Sequence, residues 1–198
     1  MSHQIHHTDA FILAAYPRGE SDRVVVLLSE EFGLVRGIAT GVRKETSKLR
    51  YSLQPYTWSR VALVRGREVW RLTGASSSAN VFAQVEHDDA RHTMMRIVTL
   101  VKRLVHGEGK NSALYQMFSS ALHELVTHEY TGDELEAFEC LVVLDILSAL
   151  GYEPELTDTN LITLMSHDGY DPERIQEAVS NRKQMIIHIN EALEASQL

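Results

Sequence analysis

The chain has 198 residues, 44% of them apolar, and a formal net charge of −8. That length allows one good core or two small ones and excludes anything larger. No apolar run approaches the ~18 residues of a membrane-spanning helix, and the opening residues lack the charged start, greasy middle and cleavage site of a signal peptide, so the expectation is a soluble cytoplasmic protein with no membrane partner.

Residues 8–16 and 23–28 are short, apolar and partly β-branched, and Pro17-Arg-Gly-Glu-Ser between them supplies turn chemistry, which predicts a hairpin. A third run, Leu34-Val-Arg-Gly-Ile-Ala, follows Gly33. Residues 56–64 and 68–74 alternate around the turn Arg65-Gly66-Arg67. In them Tyr56 and Trp58, and again Trp70 and Leu72, fall at spacing two, which places each pair on one face of its strand. Five strands in about 70 residues predict a small closed barrel such as an OB-fold. Glu20, Asp22 and Arg23 read as an ion-pair cluster pinning the first hairpin rather than as a catalytic group.

After Ala75 the period becomes helical. Met94, Ile97, Val98, Val101, Leu104 and Val105 share one face of a helix over 90–106, and Leu114, Met117, Phe118, Ala121, Leu122 and Leu125 do the same over 112–128. A third helix is predicted from Asp133, with Glu136 completing a capping box, to the terminator Gly151. Being apolar almost all round, it belongs at the centre of a bundle. Asp145 within it calls for a hydrogen bond to a neighbouring helix end. A last helix starts at Asp171-Pro172-Glu173, with Asp171 as N-cap. The expected class is therefore α+β, with an OB-fold β-barrel over residues 1–78 followed by an all-α domain over 79–198.

Charge divides the chain at the same place. Met1 to Ala75 carries 11 basic and 7 acidic residues, whereas the remainder carries 8 basic and 20 acidic. Between Arg36 and Arg71 nine basic residues face only Glu45 and Glu68. That is a polyanion footprint confined to one third of the chain. Arg43-Lys44 and Lys48-Leu-Arg50 flank the polar stretch Glu45-Thr-Ser, so their charges are expected to project from a flexible loop that settles on phosphates without reading sequence. The candidate nucleic-acid contacts are Arg36, Arg43, Lys44, Lys48, Arg50, Arg65 and Arg67, with Tyr56 and Trp58 as stacking platforms.

In order and spacing, Thr8-Asp-Ala-Phe-Ile-Leu, Gly19-Glu-Ser-Asp-Arg-Val, Leu28-Ser-Glu-Glu-Phe-Gly-Leu, Gly41-Val-Arg-Lys, Ser47-Lys-Leu-Arg and Leu53-Gln-Pro-Tyr resemble the N-terminal domain of the RecO family of recombination mediators. The likeness is dense over residues 8–75 and returns weakly at Leu147-Ser-Ala-Leu-Gly-Tyr-Glu-Pro. It implies an OB-fold and a helical domain in a non-catalytic protein. Such a protein binds single- and double-stranded DNA, anneals complementary strands, and with RecR helps load RecA onto DNA covered by the single-strand binding protein SSB, which would place it at the nucleoid. The chain is shorter than most relatives. Many members also carry a four-cysteine zinc site after the Gly-Tyr-Glu-Pro segment. This chain's one cysteine, Cys140, cannot form it and reads as a small buried hydrophobe, so no cofactor is expected. A receptor for the acidic SSB tail needs an apolar groove with a basic rim, and Arg96, Lys102 and Arg103 are the candidates in the helical part.

Other signals fail on spacing. His123 and His128 stand five apart, about 500° around a helix, so the pair diverges instead of meeting a metal as His-Glu-x-x-His does. His3, His6 and His7 lie in the N-terminal segment, and His87, Asp88, Asp89 and His92 form at most a surface cluster. Gly37-Ile-Ala-Thr-Gly41 lacks the Lys-Ser/Thr ending of a phosphate loop, and there is no nucleophile elbow. The competing reading is a protein-interaction adaptor whose barrel binds no DNA directly.

Overall fold

The computed structural model describes residues 4–152, 159–165 and 169–195. Of the residues singled out above, His3, Glu153 and Pro154 lie outside these. Five strands come first: β1 (Ile5–Arg18), β2 (Asp22–Ser29), β3 (Gly33–Ala39), β4 (Thr57–Arg65) and β5 (Trp70–Asn80). Helices dominate the rest of the chain, so the α+β class holds. The strand order is β1-β2-β3-β5-β4, and β4 pairs with β1 from Ile5↔Val64 to Ile12↔Thr57, which closes the sheet into a barrel. All neighbours are antiparallel except β3 and β5, which run parallel at Gly37↔Trp70 and Ile38↔Arg71.

Alternation fills the interior. Ala10, Ile12, Val25, Leu27, Val61, Leu63, Trp70 and Leu72 point inward, and Val42 and Leu53 from the β3–β4 connection join them. Trp70 and Leu72 share a face as their spacing predicts. Tyr56 and Trp58 do not, because β4 begins at Thr57 and Tyr56 precedes it in a left-handed conformation, φ 65°. The β3–β4 connection also holds the short helix α1 (Leu49–Ser52), which the sequence reading missed.

By compactness the chain divides into two units, Met1–Gln84 with His106–Tyr115, and Val85–Val105 with Gln116–Leu198. The first includes the short helix α2 (Val81–Gln84) after β5. Its second segment lays Glu108 beside Gly33 as an isolated bridge. The Trp70 indole donates to Glu108 Oε1 at 2.7 Å. Gly33, at φ 65°, leaves no room for a side chain, since a Cβ there would stand 2.2 Å from the Gly109 carbonyl oxygen.

The second unit is built from α3 (Asp88–Leu104), most of α4 (Ser112–Thr127), α5 (Gly132–Ala149), α6 (Thr159–Met165) and α7 (Pro172–Ala195). As its composition predicts, α5 is buried along much of its length and packs against α3 and α7. It ends in a Schellman motif. Gly151 sits at φ 80°, its N–H bonds to the Ser148 carbonyl, and the Tyr152 N–H bonds to the Leu147 carbonyl. Its start differs from the expected capping box, because the helix begins a residue earlier with Thr131 at the N-cap and no side-chain cap bond. Asp133 and Glu136 instead both accept from Arg182 of α7. That strong charge-assisted contact outcompetes a local cap.

Asp171 does cap α7, accepting from the Arg174 N–H at 3.0 Å. Arg174 is the partner of Asp145: the two form a two-pronged pair at 3.0 and 3.3 Å, with side chains only 3% and 14% exposed. The bond reaches the start of a neighbouring helix, as expected, but the donor is a guanidinium rather than the backbone. Arg174 also donates to the carbonyls of Leu164 and Gly169 and lies over the Tyr170 ring. Removing one member of a buried pair strands the other charge, at a cost of about 3–5 kcal/mol. Asp145→Ala should therefore lower the stability of the helical unit by about that amount, read as an earlier loss of far-UV helical dichroism in urea.

Candidate nucleic-acid interface

The β1–β2 turn and the loop after β3 meet at one end of the barrel. Asp22 joins them: its Oδ1 accepts from the Gly41 N–H at 2.8 Å and from the Ser21 hydroxyl at 3.1 Å. The Gly41 N–H, more than any other contact, holds the Asp22 carboxyl below its ordinary value of 3.8, with Arg18 and Lys44 adding to the effect. The expected cluster of Glu20, Asp22 and Arg23 is therefore corrected. Among the described residues no ion pair links the three, because the Asp22 carboxylate is turned toward a backbone amide across the turn. Arg43 makes a second tie, through its N–H to the Ser21 carbonyl and its Nη1 to the Gly19 carbonyl at 2.9 Å.

The loop is also less loose than its composition suggests. Lys44 N–H to Gly41 O, Ser47 N–H to Lys44 O and Arg50 N–H to Ser47 O carry it through successive turns into α1. From this frame Arg43, Lys44, Lys48 and Arg50 all project as exposed side chains, and among the described residues none of the four is in an ion pair.

Arg36, exposed on β3, shares that strand's outer side with Ile38, whose partner on β5 is the equally exposed Arg71. Arg65 and Arg67 lie at the opposite end, in and beside the β4–β5 turn. Arg65 is already engaged: it pairs with Glu108 at 3.3 Å and lies 5.2 Å over the Trp70 ring. The sequence reading treated Arg65 as one more cation of the footprint. The carboxylate that engages it comes from a segment far along the chain.

The two aromatic candidates separate. Trp58 is half-buried on the outer side of β4, edge-on to Phe11 at 4.8 Å and to Tyr115 at 5.8 Å, so its ring is spent on packing. Tyr56 stacks on Phe82 at 5.6 Å and 28°. Its backbone is held from both sides, by its N–H to the Ile12 carbonyl at 2.7 Å and by the Val81 N–H to its own carbonyl at 2.9 Å. Such clamping sustains a left-handed bulky residue, a strain of order 1–3 kcal/mol that tends to collect at functional sites. Tyr56 and Phe82 line a cavity of about 470 Å³ together with Arg23, Arg50, Gln54, Pro55 and Asn80. Gln54, Asn80 and Phe82 were not assigned a binding role from the sequence, and Arg23 was read as part of a structural ion-pair cluster; the four are scattered over some 60 positions with no shared spacing.

On the helical unit, Arg96 and Arg103 of α3 line a shallow cavity of about 420 Å³ with His92, Met95, Thr99 and Leu100, while the half-buried Lys102 is not among its lining residues. Arg96 is bound through Nε and Nη2 to Glu139, and that bond raises its pKa. Arg103 is exposed. Elsewhere His87 meets Glu129, and His128 meets Glu124. Cys140, half-buried in α5, is this chain's one thiol, so its own residues cannot supply a four-thiolate zinc site.

A closed barrel with cations on its outer surface, followed by a helical unit, defines a two-part α+β protein, and both parts match the same family in order. Residues 1–80 match the model for recombination protein O, N terminal, and residues 93–161 the model for recombination protein O, C terminal. The chain belongs to the recombination protein O family. It is 33% identical over 152 residues, 76% of its length, to the DNA repair protein RecO of Dehalococcoides mccartyi strain BAV1, and 33% identical over 155 residues to that of Heliobacterium modesticaldum. It is 27% identical over 168 residues to the DNA repair protein RecO of Nocardioides sp. JS614. The matched stretch covers 58% and 54% of the first two relatives, little more than half of each. Among the described residues no helix is long and apolar enough to cross a membrane.

The Asp22 tie gives a direct test of the site's scaffold. A carboxyl held below its unfolded value contributes stability above the ordinary carboxylate range, and that contribution is lost as pH falls through the lowered value. At neutral pH the tie is intact, and Asp22→Ala should speed amide hydrogen exchange at Gly41 several-fold while leaving the β1–β4 amides protected. Unaltered exchange at Gly41 would mean that the tie does not hold the loop in solution.

Proposed function

We propose that this chain is a non-catalytic DNA-repair and recombination mediator whose barrel is an OB-fold that holds DNA by its phosphates. The strand order β1-β2-β3-β5-β4, with the one parallel pairing between β3 and β5, supports the OB-fold reading. The observation that carries the DNA reading is the set of Arg43, Lys44, Lys48 and Arg50, exposed on a loop tied to the β1–β2 turn and, among the described residues, in no ion pair. A solubilising surface normally intersperses both signs. Here cations gather on one hydrogen-bonded frame, as backbone-tracking grooves require.

Phosphate contacts of this kind do not read sequence, which suits a protein that takes single- and double-stranded DNA and brings complementary strands together. The name the relatives carry, DNA repair protein RecO, supports the repair role, and the resemblance read in the sequence extends the proposal to loading RecA with RecR and SSB, at the nucleoid in the cytoplasm. The α3 cavity supports a place for the acidic SSB tail, with Met95 and Leu100 as its apolar floor and Arg103 as the cation on its rim. Arg96, neutralised by Glu139, contributes shape there rather than charge.

Single-stranded oligonucleotide should bind the full chain with an affinity that falls steeply as salt rises, since each neutralised phosphate releases counterions. Replacing Arg43, Lys44, Lys48 and Arg50 with alanine should weaken binding and flatten the plot of log K against log salt by about 3, at roughly 0.7 per phosphate for single strands. Unchanged binding would remove the loop from the site. No salt-dependent binding by the unaltered protein would leave the adaptor reading instead. For the tail site, Arg103→Glu should weaken a peptide of the SSB tail at least tenfold in anisotropy, about 1.4 kcal/mol, without altering DNA affinity, and equal affinity would exclude the cavity.

A further inference from the structure

The barrel's polar cavity has a composition that holding a DNA backbone does not need. Phosphate tracking requires cations alone, and the loop already supplies them. The cavity instead combines two guanidiniums, from Arg23 at the start of β2 and Arg50 of α1, with the paired rings of Tyr56 and Phe82 and the side-chain amide of Gln54. Arg23 is half-buried yet, among the described residues, in no ion pair. A partly desolvated guanidinium with five donors and no carboxylate is matched to an anion, above all to phosphate. Phe82 is 38% exposed, so the stack is open to solvent on the cavity side. Asn80 is committed elsewhere, donating to the Thr57 hydroxyl and capping the Ala83 N–H, so it shapes the wall. The volume falls within the range of about 300–1,000 Å³ usual for small-ligand pockets.

We propose that this cavity takes one unpaired nucleotide of a bound single strand, with the phosphate on Arg23 and Arg50 and the base against the Tyr56–Phe82 stack. The proposal rests on the DNA reading above and adds a preference to it. A base in a duplex has its faces covered by its neighbours and cannot present one to a ring on the protein, whereas a single strand can. Arg43, Lys44 and Lys48 then serve both forms of DNA, Arg50 serves the loop and the cavity alike, and the Tyr56–Phe82 stack serves only the unpaired form. Clamping Tyr56 from both sides fixes the stack before the strand arrives, which limits the ordering needed on binding.

The test is an anisotropy titration of the full chain with a labelled oligothymidine and with a duplex of the same length, at one salt concentration. Phe82→Leu keeps an apolar side chain but removes the ring. It should weaken the oligothymidine about fivefold or more, the lower end of a base–aromatic stack, and leave the duplex within about twofold, well below that stacking loss. Arg50→Gln, at an exposed position, should weaken both forms, because Arg50 also stands among the loop cations, and should weaken the single strand by the larger factor. Equal losses for both forms, or no loss for either variant, overturn the proposal. If the alanine replacement of Arg43, Lys44 and Lys48 abolishes binding while Phe82→Leu does nothing and Arg50→Gln costs both forms equally, the cavity proposal fails and the phosphate-holding role stands. If the unaltered chain binds neither form in a salt-dependent way, the role itself fails. Thymidine monophosphate competing as well as the oligomer, mole for mole, would assign the cavity to free nucleotides and overturn the strand assignment.

Discussion

The pairing of β4 with β1 is the constraint on which the barrel depends. Eight consecutive residue pairs, Ile5↔Val64 to Ile12↔Thr57, join the first strand to the fourth and close the sheet. Closure also sets a fixed interior, where inward residues of all five strands cluster with Val42 and Leu53 from the β3–β4 connection. A charged side chain has no place in such an interior. The cations of the basic third therefore face outward, Arg36, Arg60 and Arg71 from the outer sides of strands and Arg43, Lys44, Lys48 and Arg50 from the connection after β3. The loop after β3 can present Arg43, Lys44 and Lys48 together because Asp22 and Arg43 anchor it to the β1–β2 turn.

How much of this was legible in the sequence differs by element. The strands were, because β-branched runs and period-two alternation at Trp70 and Leu72 are signals that each segment carries by itself. The end of α5 was legible for the same reason, Gly151 being suited to the left-handed conformation that a Schellman motif demands. What failed involved partners from elsewhere in the chain. Asp133 and Glu136 have capping-box spacing, yet Arg182, some 50 residues on, takes both carboxylates. Asp22 and Arg23 look like a pair, yet the Gly41 amide intervenes. Tyr56 alternates with Trp58 on paper, but a left-handed residue cannot continue a strand, and nothing in the side chain of a tyrosine announces that conformation.

The same division holds for the site. Its charge was visible as composition, since nine basic residues in one window need no structure to be counted. Its aromatic part was not. Stacking depends on which neighbour a ring meets, and only the fold brings Phe82 to Tyr56 and commits Trp58 to Phe11 and Tyr115. The helical unit, by contrast, spends much of its basic complement internally. Arg174 is buried on Asp145, Arg96 is held by Glu139 and Arg182 by Asp133 and Glu136, which leaves this acidic half with few cations to offer an anionic ligand.

The Glu108 contact bears on how the protein is made. The segment His106–Tyr115 belongs to the barrel's compact unit, although the whole of α3 separates it from β5 in the chain. When β5 leaves the ribosome, the Trp70 indole N–H still lacks Glu108 as its acceptor, and Gly33 lacks the carbonyl that will pack on it. The nascent barrel is thus incomplete until translation has run through α3 and beyond. Its final fastening is a vectorial event, in which a later part of the polypeptide returns to lock an earlier one.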